Sequence, residues 1–252
     1  MRGTAEPVLK KLRQERGKNA KHQGEIRNDM LAAVILSGGA SSRMGSPKAL
    51  LAYQGRPFLE HLLEITLHPK IGVRRVVLGA HAEPIAKNIA LAADEIVMNA
   101  DWEKGQLSSI QAAIRSFPDF KEGGPQKAGA QQQTQGTTHG TQQMPRGTDG
   151  LLLCLIDHPL ISGALVNYLI EQFYAAACTK IVLPVHEGRR GHPVIFPAWL
   201  YEELLGAPED KGARAVVWAH AADVIEVPTE EEGCVLNLND PETLHRATGR
   251  SD

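Results

Sequence analysis

The chain is poor in the features that mark several large functional classes. Only three of its 252 residues are cysteine, and Cys154, Cys178 and Cys234 lie far apart with no CxxC or Cys/His spacing. That excludes a disulfide framework or a cysteine-ligated metal site, and the three read as buried thiols of a reducing cytoplasm. Neither sign of charge is in excess: 27 Lys and Arg stand against 29 Asp and Glu, for a formal charge of −2. Proteins that hold duplex nucleic acid carry a basic face, so nucleic acid is not an expected partner. Aromatics make up 5 %, too few for the stacking platforms that hold single strands. No apolar run approaches the roughly 18–20 residues of a membrane span. A soluble cytoplasmic protein without a membrane partner is therefore expected. What remains is ordinary, with 42 % hydrophobic and 22 % charged residues, the balance of a globular chain. A domain of this size buries roughly 70–75 % of its unfolded surface and needs no staple to fold.

Two segments depart from that average. Residues 1–29 hold eight Lys and Arg against four acids and almost no large apolar side chain. No apolar stretch follows the charges, as a secretory signal would require, and a basic, solvated arm is expected. Met30 stands directly before the first strand-like run and is an alternative first residue of the natural chain; an intact Met1 in the native protein would exclude it. Residues 121–149 crowd seven Gln among Gly and Thr, with Met144 the one sizeable apolar side chain. Such a stretch buries too little to offset its ordering entropy and is read as a low-complexity insertion.

Between these segments strands alternate with helices. Leu31–Leu36 (LAAVIL) and Leu151–Ile156 (LLLCLI) are continuous apolar runs, as strands covered on both faces would be. Further strands are expected at Arg75–Leu78, Ile96–Met98 and Ile181–Val185, with helices at Pro57–Leu67, Pro84–Ala93, Ser108–Phe117 and Ala164–Ala177. This rhythm predicts an α/β fold, three-layer and Rossmann-like, with a mostly parallel sheet and helices on both faces. One domain over 30–247 is expected, because no linker separates two cores. Ligands of such sheets sit beyond the carboxyl ends of the strands, here just after Leu36, Leu78, Met98 and Ile156.

The chemistry-bearing residues fall where that rule points. After the first strand comes S-G-G-A-S-S-R-M-G-S-P-K, Ser37 to Lys48. Gly38, Gly39 and Gly45 permit close backbone approach and positive φ, so that N–H groups can line an anion site. Ser41 and Ser42 add hydroxyls, while Arg43 and Lys48 add two cations suited to phosphate. A P-loop is excluded, since Gly45 is followed by Ser46-Pro47-Lys48-Ala49 and not directly by Lys. The dinucleotide pattern G-x-G-x-x-G fails as well, because two of the glycines are adjacent.

Leu36 to Lys48, read as L-x-G-G-x-S-x-R-M-G-x-x-K, resembles the nucleotidyltransferases related to molybdenum cofactor cytidylyltransferase and guanylyltransferase. The resemblance runs along most of 30–247. Asn99-Ala100-Asp101-Trp102 through Gly105, Ser108 and Ser109 is similar to the family's N-x-x-W/Y-x-x-G-x-x-x-S. Asp157-His158-Pro159 stands where the family has Asp-x-Pro, and Gly191-His192-Pro193 matches the Gly-His-Pro of the cytidylyl branch. Gly212-Ala213-Arg214 and the tail Asn237-Leu238-Asn239-Asp240-Pro241-Glu242 match later motifs, the tail against D-x-D-T-P-E/D. The resemblance implies the fold of nucleotide-diphospho-sugar transferases and transfer of a nucleotide from a triphosphate to a phosphorylated acceptor, with loss of pyrophosphate.

It implies roles too. Arg43 and Lys48 would be catalytic cations, with Leu36, Ser37, Gly38, Gly39, Ser41, Ser42, Gly105, Ser108 and Ser109 along the nucleotide. His158 and His192 would stand on the acceptor side. Magnesium is the implied cofactor, because it bridges phosphates and needs few protein ligands. Asp157 would be its first ligand. The second is Asn239, where the family has an acid, or its neighbour Asp240. Ser37-Gly38-Gly39 looks like the guanylyl branch, while Gly-His-Pro and the Asn99–Ser109 segment point to the cytidylyl branch. CTP is therefore favoured, with GTP next. The implied acceptor is molybdopterin, with a molybdoenzyme or its chaperone as a further partner. The alternative is a nucleotide-binding regulator or cofactor chaperone of weakened catalysis, suggested by Asn237 and Asn239. A sugar-nucleotide-dependent transferase would want a paired D-x-D near Asp157, which His158-Pro159 does not provide.

Overall fold

The computed structural model describes residues 30–41, 44–118 and 147–248. The arm at 1–29, most of the insertion, Ser42 and Arg43 lie outside the described residues. In chain order the strands are β1 (Leu31–Ser37), β2 (Ala52–Tyr53), β3 (Arg56–Pro57), β4 (Ile71–Leu78), β5 (Ile96–Met98), β6 (Gly150–Leu155), β7 (Ile181–His186), β8 (Arg189–Arg190), β9 (Val194–Pro197) and β10 (Val224–Pro228). The helices are α1 (Phe58–Ile65), α2 (Ala82–Asn88), α3 (Gln106–Arg115), α4 (Gly163–Ala175), α5 (Tyr201–Leu205), α6 (Arg214–Ala219) and α7 (Pro241–Thr248).

The main sheet has the order β10-β7-β9-β6-β1-β4-β5, with β8 paired to β7, and β2 and β3 form a separate ribbon. β1 is central and every residue of it is buried. It runs parallel to β4 on one side and to β6 on the other. Its side chains alternate between two cores, as a strand's period of two requires. Leu31, Ala33 and Ile35 join Leu59 and Leu62 of α1 and Leu165, Leu169 and Phe173 of α4. Ala32, Val34 and Leu36 join Ile110 and Ile114 of α3 and Leu204 of α5. The three layers follow from that alternation. The mostly parallel sheet flanked by helices agrees with the sequence reading.

The departures from expectation are local. β9 runs antiparallel to both β6 and β7, and neither it nor β10 is marked by the strand-helix rhythm, since four apolar residues in β9 and a five-residue stretch broken by Glu226 in β10 suit loop or strand alike. α3 starts at Gln106, two residues before the expected Ser108, because Gly105 takes φ 96° and turns the chain into the helix. Asp149, the last residue of the expected insertion, is tied to the fold. Asp149 donates its N–H to the Met30 carbonyl at 2.9 Å, accepts from Ala198 N–H at 2.9 Å, and takes the Tyr174 hydroxyl on its carboxylate at 3.1 Å. Cys154 and Cys234 are buried as expected, but Cys178 is half-buried. It sits on the left-handed turn that ends α4, with φ 51° at Ala177 and 58° at Cys178. Among the described residues no helix is long and apolar enough to cross a membrane.

β6 begins at a glycine because nothing larger fits. A Cβ on Gly150 would run into the Phe196 carbonyl oxygen and lie 2.9 Å from Phe173 Cζ. One neighbour is sheet backbone and the other a fully buried ring, so neither yields cheaply. Gly150→Ala is therefore expected to destabilise the fold by about 1–3 kcal/mol. A urea unfolding curve checks this; an unchanged midpoint would contradict it.

Candidate active site

The carboxyl ends of β1, β4 and β6 open onto one cleft. It is lined by Leu36 to Gly39, Ser41, Pro47, Lys48, His81, Ile85, Trp102, Gly105, Gln106, Ser109 and Leu155 to Asp157. Its empty space, the open mouth included, is about 760 Å³. The floor is backbone packed on backbone. A Cβ on Gly38 would lie 3.2 Å from Ser109 Oγ, and one on Gly79 would meet the Gly38 carbonyl and sit 2.7 Å from Trp102 Cβ. The Gly38 carbonyl accepts from Ala80 N–H at 3.1 Å. His81 Nε2 donates to the Ala40 carbonyl at 2.7 Å. The turn after β4 thus holds the first half of the glycine-rich loop.

The second half is held by Ser41. Its φ is 51°, and its Oγ accepts from Lys48 N–H at 3.2 Å. Gly45, at φ 65°, closes the turn where a side chain would be strained. Lys48 then opens a single 3₁₀ turn anchored by buried Ala49, which presents the lysine side chain to the cleft.

Two oxygen-bearing side chains meet that lysine. Nζ of Lys48 donates a hydrogen bond to Asn239 Oδ1 and lies 3.8 Å from Asp157 Oδ2. The Lys48 and Asp157 side chains are 17 % and 21 % exposed, so solvent screens the pair only in part. The two oxygens come from distant segments joined by backbone: Leu238 N–H donates to the Asp157 carbonyl at 2.8 Å. Asp240 is engaged elsewhere, its carboxylate accepting from Thr243 N–H at 2.8 Å and Thr243 Oγ1 at 3.0 Å at the start of α7. Of the two alternatives for a second ligand, Asn239 is the one beside Asp157. A carboxylate and an amide carbonyl converging on one cation are hard donors of the kind magnesium takes, with water completing its shell. Among the described residues no group of three or more His, Cys, Asp or Glu gathers that could hold a metal ion, so any metal here would depend on Asp157, the Asn239 carbonyl and ligands from outside the protein.

The Asn99–Ser109 segment is organised by Asn99. Its N–H donates to the Leu78 carbonyl at 2.8 Å, its Nδ2 to Ser108 Oγ and Ser109 Oγ at 2.9 Å each, and its Oδ1 accepts from Asp101 N–H at 3.0 Å. Ser108 Oγ also donates within this loop, to the carbonyls of Asp101 and Gly105 at 2.9 and 2.8 Å. Ser108 therefore ties the loop, while Ser109, Gly105 and Trp102 line the cleft. Among the lining residues, the sequence singles out none of His81, Ile85, Pro47 and Gln106; the end of β4 marks the neighbourhood of the first two, the glycine-rich loop that of Pro47, and Gly105 that of Gln106.

The two histidines do not line the cleft. His158 is buried, its Nδ1 lies 3.3 Å from the Gly233 carbonyl, and its ring centroid is 5.2 Å from that of His192. His192 N–H donates to the Cys234 carbonyl at 2.8 Å, and a Cβ on neighbouring Gly191 would strike that same carbonyl. Both imidazoles are held neutral. Burial lowers His158 below the usual histidine range. Burial first, and then the His158 ring, push His192 down to about 3. A base whose pKa falls on folding binds fewer protons in the native state, so stability is full above pH 6.5 and declines as pH drops toward 3. His192→Gln is expected to flatten that decline, whose slope from this residue is up to about 1.4 kcal/mol per pH unit. Urea midpoints at pH 7, 6 and 5 check this; an equal slope in both proteins would contradict it.

The doubly covered, mostly parallel sheet has the nucleotide-diphospho-sugar transferase fold, with a glycine-rich loop after its first strand and an oxygen-walled lysine beside it. The chain belongs to the MobA-like NTP transferase domain family, whose model matches residues 33–224. It is 28 % identical over 214 residues to the nicotine blue oxidoreductase of Paenarthrobacter nicotinovorans, covering 81 % of this chain and 90 % of that protein. It is 27 % identical over 225 residues to the molybdenum cofactor guanylyltransferase of Rhizobium meliloti (strain 1021), covering 85 % and 89 %. The crystal structure of Rv0371c from Mycobacterium tuberculosis superposes with a TM-score of 0.65 at 21 % identity, over 88 % of this chain and 100 % of that one. Rv0371c has also been solved in complex with manganese.

Proposed function

We propose that this protein transfers a nucleotide from a nucleoside triphosphate to a phosphorylated small molecule. A phosphate oxygen of the acceptor attacks the α-phosphorus. The bond from that phosphorus to the bridging oxygen breaks, and pyrophosphate leaves with the electron pair. The observation that carries this reading is the Lys48 ammonium, set between Asp157 and Asn239 at the mouth of the glycine-rich loop. Charge accumulates on the leaving oxygens, so positioning and electrostatic stabilisation do the catalysis. Lys48, with Arg43 from the same loop, stabilises that charge. Backbone N–H groups from Ser37 to Ser41 and the Ser109 hydroxyl hold the nucleotide. Asp157 and Asn239 would hold magnesium, which when bound supplies further positive charge to the phosphates. His158 and His192 serve by fixing the loops on either side of Asp157.

CTP is the favoured nucleotide on the strength of Gly191-His192-Pro193 and the Asn99–Ser109 segment. GTP is next, supported by Ser37-Gly38-Gly39 and by the guanylyltransferase relative. Molybdopterin is the proposed acceptor, with a cytoplasmic molybdoenzyme or its chaperone receiving the product. A specific observation favours one second reading: Asn239 is neutral where an acid is expected, which suits a nucleotide-binding regulator of weakened catalysis.

The test is pyrophosphate release from CTP, GTP, ATP and UTP with magnesium, with and without molybdopterin. Release is expected to depend on molybdopterin and to be fastest with CTP. Lys48→Ala and Asp157→Ala are each expected to lower turnover by about 10²–10³-fold. No release from any nucleotide, alongside measurable nucleotide binding, would instead establish the regulator.

A further inference from the structure

We infer that Lys48 and a divalent cation compete for the same two oxygens, so that the nucleotide, by drawing the ammonium away, opens the metal's ligands. The inference rests on the nucleotidyl-transfer reading and adds to it an order of events. The Lys48 backbone is fixed, with its N–H on Ser41 Oγ at 3.2 Å and its carbonyl accepting from Leu51 N–H at 3.1 Å. Only the side chain is left to move, and it reaches both the cleft and the oxygens of Asp157 and Asn239. An ammonium donates to hard oxygens, and these are the donors that magnesium or manganese takes.

The charge count makes the two occupants exclusive. Asp157 supplies one negative charge and Asn239 none, so the lysine alone neutralises the pair. A divalent ion added beside the ammonium would leave the three groups with an excess of two positive charges. A triphosphate reverses the balance, because its oxygens offer the ammonium a stronger partner than one carboxylate and one amide. Metal and nucleotide are then coupled through a single side chain, and each raises the other's affinity. An acid at position 239 would halve that excess to one positive charge and so weaken the exclusion, so Asn239 is part of the device.

The probe is Mn²⁺ alone, with free metal read by electron paramagnetic resonance on the nucleotide-free protein. Lys48→Met is expected to bind Mn²⁺ about tenfold more tightly than wild type, within the usual span of site-to-site coupling. Arg189→Met removes a positive charge that hydrogen-bonds the Val235 carbonyl on the strap leading to Asn239, and is expected to leave Mn²⁺ affinity within about twofold, as a surface cation that blocks no ligand should. A second readout needs no variant: in wild type, acetylation of Lys48 followed by mass spectrometry should rise severalfold when Mg²⁺ is added. Acetylation of Lys180, paired with Asp223 at 2.8 Å, should not change. Equal Mn²⁺ affinity in wild type and Lys48→Met, or an equal gain in Arg189→Met, overturns the inference while leaving nucleotidyl transfer standing. Unchanged acetylation of Lys48 overturns it too. No Mn²⁺ binding to any of the proteins overturns both the inference and the metal assignment beneath it.

Discussion

The ammonium of Lys48 is where three distant parts of the chain come together, and most of the architecture serves to bring them there. The glycine-rich loop delivers the lysine, the carboxyl end of β6 delivers Asp157, and the strap before α7 delivers Asn239. None of the three is positioned by the charge itself. Asp157 is held because β6 lies in register beside β1, with Ile156 N–H on the Leu36 carbonyl at 3.2 Å. Asn239 is held because Leu238 N–H reaches the Asp157 carbonyl. An ion pair that is only part-buried contributes little to stability, so under the proposed function its meaning is chemical: a polarised corner where phosphate and metal would meet.

Around that corner, close backbone contact does what side chains do in other sites. Gly38 and Gly79 pack against one another beneath Trp102, and Gly191 backs onto the Cys234 carbonyl. Removing Cβ atoms at these points lets the turns after β1 and β4 share one wall. The neutral histidine pair fills the space between the Asp157 loop and the strap without bringing charge near the site. The surroundings of Lys48 are thus set by dipoles and a few counted charges, which is the condition under which one lysine can decide what binds.

Much of this was legible in the sequence, for identifiable reasons. Strands buried on both faces announce themselves as apolar runs, and LAAVIL and LLLCLI are β1 and β6 nearly to the residue. The loop from Ser37 to Lys48 was legible because close approach and positive φ demand glycine at particular spacings. Less was legible where contact depends on tertiary register. The antiparallel β9 has no pattern of its own, and His81 is an ordinary residue until β4 brings it to the Ala40 carbonyl. His158 and His192 were placed on the acceptor side by motif, yet their burial depends on Gly233 and Cys234 crossing over them. That Asn239 meets Lys48 while Asp240 caps a helix is likewise visible only in the folded chain.

The central claim is that this cleft moves the nucleotidyl group, α-phosphorus included, of a nucleoside triphosphate, and the fate of a labelled phosphate tests it most directly. The purified protein would be given magnesium, molybdopterin and CTP labelled at either the α- or the γ-phosphorus. The account predicts that α-label passes to the acceptor while γ-label leaves in pyrophosphate, in equal amounts. Gamma-label on the acceptor or in orthophosphate, with the α-label left in a free nucleotide, would contradict it.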